Sequence, residues 1–178
     1  MSGAGNQQER LIQLGWVIGF VDGEGCFSIG FVRQPHRMSR KGYKIGWQMV
    51  HRFVVSQGSS SRACLEDLKR FFGVGRVYAN PRHDNHREHM AQFVVNRRVD
   101  LVETIVPFCE KHPLRSAKRM DFEKFARCVS LAEEGAHLVR EGLVEILEIA
   151  ETMNHRKSRR ELVRILRGHT PEVQDTGS

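Results

Sequence analysis

The stretch that most constrains how this chain can fold is an apolar segment with spaced glycines at residues 14–27, LGWVIGFVDGEGCF. Its apolar residues would cover a helix on nearly all sides, so we expect that helix to be buried against more than one neighbour. Gly19 and Gly23 lie four residues apart and share one face of the helix. Because a glycine costs about 1 kcal/mol of helix stability relative to alanine, the pair indicates a face that a second backbone approaches closely.

Two acidic residues, Asp22 and Glu24, lie at the C-terminal end of this predicted helix. The helix macrodipole disfavours anions at that end, so carboxylates placed there are candidates for binding a cation. An equally simple interpretation is a core helix that ends with a glycine cap at Gly25 and leaves both carboxylates in solvent. The pattern is compatible with both interpretations.

Length, charge and cysteine spacing limit the classes of protein to consider. The 178 residues suffice for one domain with a hydrophobic core, and the net charge of +7 favours a polyanionic partner such as nucleic acid. The four cysteines form no CxxC pair, which argues against a zinc site or disulfide framework and is typical of a reducing compartment. No apolar run reaches the ~18 residues of a membrane span, and the N-terminus lacks the apolar core of a secretory signal. We therefore predict an intracellular protein, cytoplasmic (bacterial or phage) or organellar and not secreted, with no membrane partner.

The hydrophobic periodicity changes along the chain and predicts an α+β fold. Alternation of apolar and polar residues predicts strands at 26–33, 43–57 and 76–80, and a fourth strand is predicted at 89–96, where the alternation is not clean. Helical spacing predicts helices at 8–24, 62–72, 100–109, 114–133, 138–153 and 158–167. Because a helix and a strand pair alternate twice before the last helices, we expect a four-stranded antiparallel sheet with the helices on one face. We predict a single domain at 8–168, with flexible tails at 1–7 and 169–178.

The sheet face that carries no helices would be open to a partner. The basic, amide and aromatic side chains expected on it are Lys44, Gln48, Arg52, Arg76, Tyr78 and Asn80. A β-ribbon with such side chains can enter the major groove of DNA and meet base edges there. A sheet face that is merely solvated is the alternative.

Residues 17–25, VIGFVDGEG, resemble the motif of the LAGLIDADG homing endonucleases, which runs apolar-small-Gly-Phe-apolar-Asp-Gly-acid-Gly. The matching positions are Gly19, Phe20, Asp22, Gly23, Glu24 and Gly25, whereas Ile18 stands where alanine is usual. Residues 53–77 and 107–122 are also similar to this family, so the resemblance covers most of residues 11–130. It implies an αββαββα core whose sheet forms a DNA-binding saddle.

The resemblance also implies an activity and an assembly. Members of this family are site-specific endonucleases that hydrolyse phosphodiester bonds in long, near-palindromic DNA duplexes with a divalent metal. The implied metal is Mg²⁺, with Mn²⁺ or Ca²⁺ able to substitute in binding. Because the motif occurs once in this chain, the resemblance implies a homodimer through the motif helix, with one Glu24 from each subunit side by side.

By the same resemblance, Glu24 and the carbonyl of Gly23 are expected to hold the metal. Gln57 is expected to orient the attacking water, and Lys118 to stabilise charge in the transition state. Asp22 matches the other acid of the motif, and we expect it to be structural, as a helix cap, rather than catalytic.

Two other residues are candidates for the basic catalytic group. A short shift in the alignment with the family exchanges Lys118 for Arg115, and Lys111 is a more distant candidate. The resemblance extends to the residues expected to contact DNA, with the loop at 34–41 reaching the outer part of the target. These residues are Ser28, Gln34, Arg37, Arg40, Lys44, Gln48, Arg52, Arg76, Tyr78 and Asn80.

Two other functions stay open. The first is a protein of the same fold that binds DNA or RNA without cleaving it, such as an intron-splicing maturase. The second is a metal-binding protein built on His83, His86 and His89, whose spacing of three could cluster them on one helical turn. That segment, however, has the composition of a hairpin turn, which favours solvated histidines.

Overall fold

The sheet is the centre of the fold. The computed structural model of the protein describes residues 3–34, 45–81, 88–153, 163 and 166–168. Within these residues the strands are β1 (Gly25–Arg33), β2 (Trp47–Gly58), β3 (Arg76–Asn80) and β4 (Met90–Val95). They form one antiparallel sheet in the order β1-β2-β4-β3. The predicted four-stranded antiparallel sheet is confirmed, with β2 and β4 at its centre.

Helices precede, separate and follow the strand pairs. They are α1 (Gly3–Glu24), α2 (Arg62–Phe72), α3 (Arg98–Asp100), α4 (Val106–Lys111), α5 (Lys118–Glu133) and α6 (Arg140–Glu151). A π-helical turn at Leu101–Ile105 joins α3 to α4, and 3-10 turns at Ser59–Ser61 and Ala136–Leu138 precede α2 and α6. This order confirms the predicted α+β fold. Among the helices described, none has both the length and the apolar character that crossing a membrane requires.

One face of the sheet is apolar and lies against helices. Burial alternates along β1, β2 and β4, so that every second side chain turns inward. The ring of Phe27 lies 5.1 Å from that of Phe53, 5.2 Å from Phe122 and 5.4 Å from Phe125. These aromatic contacts tie β1 and β2 to α5, and α2 packs against β2, β3 and β4 beside them. Neither α2 nor α5 covers the opposite face of the sheet.

α1 and α5 begin several residues away from their predicted starts. α1 begins at Gly3, five residues before the predicted start. α5 begins at Lys118 and not at residue 114, because the amides of Arg115 and Ser116 are bound by the side chain of Asp22 and not by a helical ladder. The limits of the domain and its flexible tails stay predictions.

The helix predicted at 100–109 is longer and less regular than expected. It runs through the π-helical turn and continues to Lys111, so Pro107 does not end it. Pro107 is the second residue of α4 and directly follows the π-helical turn, where the hydrogen-bond pattern of the helix changes.

The second strand and the last helix also differ from their predicted ranges. β2 begins at Trp47, after Gly46, whose φ of +72° turns the chain into the strand. Residues 35–44 lie outside the described part of the chain, as does most of the helix predicted at 158–167.

The covered face of the sheet contains one polar cluster. His51, Arg98 and His137 line a cavity of about 140 Å³ together with Gln48, Met49 and Ala132. Arg98 lies 3.4 Å from Nε2 of His137 and 2.9 Å from a Glu133 carboxylate oxygen. Burial, with the nearby Arg98 charge, lowers the pKa of both imidazoles below the usual range. The neutral form of both rings is thereby favoured.

Candidate active site

The motif helix α1 is buried on one side only. Val17 and Val21 are fully buried against the sheet, whereas Leu11 and Ile12 are more than 60% exposed, at 61% and 66%. A side chain added at Gly15, Gly19 or Gly23 would meet no other atom of the described chain within 4 Å. Within the described residues, the predicted burial of α1 against more than one neighbour is therefore not met, and no described element covers its glycine face.

Gly25, at the junction of α1 and β1, is required for close packing and not for a cap. It is absent from the glycines with positive φ, so the left-handed cap considered above is not formed. A Cβ at this position would lie 2.5 Å from the carbonyl oxygen of Val21 and 3.2 Å from the ring of Phe53. Only glycine lets the chain pass directly from α1 into the strand pairing with Val55.

Asp22 is bound by the turn that leads into α5. Its carboxylate accepts hydrogen bonds from the Arg115 N–H at 2.9 Å, the Ser116 N–H at 3.1 Å and the Ser116 hydroxyl at 2.6 Å. Partial burial disfavours the charged form, but these hydrogen bonds and the nearby Lys118 charge outweigh it, so the pKa of Asp22 lies below its usual range. Asp22 therefore has the geometry of the structural cap that the sequence predicted.

Lys118 places a positive charge at the C-terminal end of α1. Its Nζ donates a hydrogen bond of 2.6 Å to the carbonyl oxygen of Gly23. The last turn of α1 has no basic residue of its own, so this ammonium supplies the cation that a helix C-terminus favours. Asp22 is an anion at the C-terminus of α1 and Lys118 is a cation at the N-terminus of α5, so each charge is unfavourable for the macrodipole of its own helix. Each charge instead stabilises the end of the other helix. We refer to Asp22, Ser116, Lys118 and the Gly23 carbonyl as the reciprocal cap.

Glu24 is adjacent to the reciprocal cap but is not part of it. Its side chain is exposed, and within the described part of the chain no group donates a hydrogen bond to its carboxylate. A carboxylate and a carbonyl oxygen are the donors that Mg²⁺ prefers, so Glu24 and Gly23 fit a divalent cation chemically. The described residues contain no group of three His, Cys, Asp or Glu side chains that could hold a metal alone. Further ligands would have to come from water, substrate or a second chain.

Gln57 lies at the same end of the sheet as Glu24. Gly25 pairs with Val55, so Gln57, two residues further along β2, extends past the start of β1. The following turn is held by Glu88, which accepts a 2.6 Å hydrogen bond from the Ser60 N–H. The hydrogen bonds from Ser60 lower the pKa of Glu88 below its usual range.

Glu88 was missed by the sequence reasoning, which assigned its segment to a charged turn. A Cβ at Gly58 would lie 2.5 Å from a Glu88 carboxylate oxygen, so a larger residue next to Gln57 would displace this side chain. The only local signal is a glycine followed by three serines at residues 58–61, a composition typical of a turn and a helix cap. The partner of that turn lies about thirty residues away and could not be found locally.

The basic candidates differ in their contacts with the motif. Lys118 contacts the Gly23 carbonyl, whereas Arg115 meets the motif through its backbone N–H and points an exposed side chain to solvent. Lys111 is the last residue of α4 and is exposed. This geometry favours Lys118 among the three, while its catalytic role stays a prediction.

The open face of the sheet carries the polar residues predicted for it. Most of the predicted DNA contacts within the described residues are exposed or half-buried there, namely Ser28, Gln48, Arg52, Arg76, Tyr78 and Asn80, with Gln34 at the end of β1. The amide of Gln34 donates to that of Gln48 at 3.1 Å. Arg37, Arg40 and Lys44 lie outside the described residues, as do His83 and His86.

A groove follows the edge of this face beside β1. Its volume is about 840 Å³, and its lining includes Cys26, Ser28, Arg52 and Lys118. The sequence analysis did not identify Gln92. This residue of β4 lies on the open face of the sheet and donates a 3.1 Å hydrogen bond to the Ser56 hydroxyl. The parity of β4 was not assigned from the sequence, because its apolar and polar residues do not alternate cleanly.

Residues 17–129 match the family described as LAGLIDADG endonuclease. The chain belongs to this family. The match includes the whole motif and the reciprocal cap, and it confirms the resemblance inferred from VIGFVDGEG.

Individual relatives agree with this assignment. The chain is 37% identical to a solved homing endonuclease, I-TnaI, over 87% of this chain and 96% of that one, with a TM-score of 0.70. It is 27% identical to I-SmaMI bound to an uncleaved DNA target in the presence of calcium ions, over 84% of this chain and 47% of that one, with a TM-score of 0.71. It is 32% identical to "Probable intron-encoded endonuclease 2" of Neurospora crassa over 140 residues, which are 78% of this chain and 28% of that protein. The chain thus spans less than a third of that curated relative.

Proposed function

We propose that this chain is the subunit of a site-specific double-strand DNA endonuclease that hydrolyses phosphodiester bonds in a long, near-palindromic target. The observation that carries the proposal is the convergence of Glu24, the Gly23 carbonyl and Lys118 at one end of an open, basic sheet face. An exposed carboxylate beside a fixed ammonium suits a reaction in which negative charge develops on a phosphate. The names of I-TnaI and I-SmaMI support the same activity.

Each residue has a defined task in this proposal. Glu24 and the Gly23 carbonyl would hold Mg²⁺, which when bound stabilises negative charge on the phosphate and lowers the pKa of a water ligand. Gln57 would hold and orient the attacking water through its amide. The Lys118 ammonium would stabilise the charge that develops on the phosphate oxygens. Asp22 takes no part in the chemistry, because its oxygens are already engaged by Arg115 and Ser116.

The open face of the sheet would bind the duplex. Arg52 and Arg76 would neutralise phosphates or read guanine, giving an affinity that falls with salt. Gln34 and Gln48 are already oriented by their mutual hydrogen bond, which favours amide contacts with adenine edges. Residues of the loop at 35–44, including Arg37, Arg40 and Lys44, are proposed to extend this surface.

A cleavage assay tests the activity directly. The protein with Mg²⁺ is expected to cut a subset of a randomised or genomic duplex library, and chelation of the metal is expected to stop cleavage. Glu24→Gln is expected to reduce cleavage at least about 1,000-fold while duplex binding is kept, since only the metal ligand is lost. Glu110→Gln, an exposed acid on α4, is the matched control and should cut normally. If wild type binds duplex but cuts none, the non-cleaving alternative replaces this proposal.

The glycine face of α1 is proposed to pair with the same face of a second copy. Leu11, Ile12 and Trp16 are exposed beside it, and closing this face would bring the two Glu24 carboxylates near the two-fold axis. The match to I-SmaMI covers 84% of this chain and 47% of that one, a proportion that two copies of this chain would fit. Sizing by light scattering should give a dimer for wild type and a monomer for Gly19→Trp. A wild-type monomer at micromolar concentration would contradict the shared site. Organellar or cytoplasmic localisation stays a prediction.

A further inference from the structure

Ser116 joins the two halves of the reciprocal cap through a single hydroxyl. Its Oγ donates to Asp22 Oδ1 at 2.6 Å and accepts from the Lys118 backbone N–H at 3.3 Å. The Ser116 backbone N–H donates to the same carboxylate at 3.1 Å. The residue therefore contacts the end of α1 and the first residue of α5 at the same time.

We propose that Ser116 is a positioning residue that fixes the Lys118 ammonium against the Gly23 carbonyl, next to Glu24. The proposal rests on the nuclease function proposed above, but its main test does not depend on cleavage. Ser116 is not expected to contact the metal or the reacting phosphate, and it acts only through Lys118 and Asp22.

The need for such a residue follows from the lysine side chain. A lysine has a long flexible stem, so an ammonium stays at one point only when its backbone is held and its head has a partner. The Gly23 carbonyl is the partner of the head, at 2.6 Å. The Ser116 hydroxyl and the Asp22 carboxylate hold the backbone. Displacement of a catalytic group by about 1 Å can reduce a rate by about 100-fold, so the backbone anchor affects the chemistry as well as the fold.

Competitive acetylation followed by mass spectrometry tests the position of the ammonium in the metal-free, DNA-free protein. Ser116→Ala removes the hydroxyl and is expected to raise the acetylation rate of Lys118 by about 10-fold, as the ammonium leaves the Gly23 carbonyl more often. Lys124 provides a matched internal control, because its Nζ also donates to a backbone carbonyl, that of Thr152, at 3.0 Å. Its rate should not change. Ser116→Thr keeps a hydroxyl and should restore the rate of Lys118.

The outcomes separate positioning from general stability. A rise for Lys118 alone, reversed by Ser116→Thr, supports the proposal. An unchanged Lys118 rate, or an equal rise for both lysines, overturns it and makes Ser116 a purely structural residue. If Ser116→Ala does not fold, Ser116→Cys, which is close in volume but a weaker hydrogen-bonding group, provides the same comparison.

Cleavage kinetics give a second, separate measurement. Ser116→Ala is expected to lower kcat by about 10- to 100-fold with little change in KM, since the DNA-binding face is unaltered. An unchanged kcat in a protein whose Lys118 labelling has risen would overturn the link to catalysis. If wild type cleaves no DNA, the proposed function fails, while the labelling experiment still reports whether Ser116 positions Lys118.

Discussion

The two acidic residues at the end of α1 have opposite surroundings although they are two positions apart. Asp22 accepts three hydrogen bonds of 3.1 Å or less from Arg115 and Ser116, and its pKa is lowered. Glu24 is exposed and receives no hydrogen bond from the described residues. Both carboxylates oppose the macrodipole of α1, but among the described residues only Asp22 is compensated. The uncompensated carboxylate is the one that remains available for a cation.

This contrast explains how one motif can carry two acids with separate tasks. A carboxylate that must bind a metal cannot also be saturated with hydrogen bonds, because those donors would occupy its lone pairs. A carboxylate that fastens two elements needs the opposite. Two residues along a helix point in roughly opposite directions, so Asp22 reaches the turn before α5 while Glu24 remains exposed.

The largest effect on stability is expected from removing the saturated acid. Asp22→Ala should lower the free energy of unfolding by about 2 kcal/mol, because the Arg115 and Ser116 amides lose their acceptor. Glu24→Ala is the matched change and should leave stability nearly unaltered. Urea unfolding of the two variants measures the difference. Equal losses would contradict the distinction between the two acids.

The pH dependence of stability sharpens the same comparison. The pKa of Asp22 is lowered in the folded state from an ordinary value of 3.8, so the unfolded chain binds this proton more readily. Its contribution to stability is therefore complete above pH 3.8 and is lost as the pH falls through the lower folded value. Asp22→Asn should flatten this part of the acid unfolding curve. Glu24→Gln should not, and a similar flattening by both variants would argue against a special role for Asp22.

The smallest effect is expected from the half-buried imidazoles of His51 and His137, whose ordinary pKa of 6.5 lies well above that of Asp22. Burial first, and then the charge of Arg98 and the proximity of His137, lower the pKa of His51 from 6.5. The contribution of the neutral ring is therefore complete above pH 6.5 and declines as the pH falls toward the folded value. His51→Leu should reduce the loss of stability in weak acid without changing the steeper loss at lower pH. Thermal melts of wild type and His51→Leu at pH values below 6.5 and above 3.8 measure this difference in stability. An unchanged profile would contradict the assignment to His51.

Much of the site could be predicted from local sequence. The alternation in β1 and β2 placed Gln48 and Arg52 on the open face, and the structure agrees. The motif placed Glu24 and Gly23 at a helix end, because apolar spacing defines where α1 runs. The helix at 62–72 was predicted with the bounds that the structure has. These features depend on periods of two and 3.6 residues, which are visible in any short window.

Other features could not be found in this way. The start of α5 was placed four residues too early, since the apolar Leu114 continues the helical pattern although the amides after it are bound by Asp22. Glu88 and Ser116 were not assigned a role, because their partners lie in distant parts of the chain. The parity of β4, and with it Gln92, became clear only from its pairing with β2 and β3.

The sequence by itself determined the fold class, the motif helix and the two acids at its end, because hydrophobic period and helix geometry are local properties. Only the tertiary structure decided which acid is saturated and which is free. Asp22 and Ser116 are 94 positions apart, and Lys118 reaches Gly23 across 95. No propensity links such residues. The packing of α5 against β1, the strand that directly follows α1, brings the positive start of α5 to the negative end of α1, and their charges then assign the tasks.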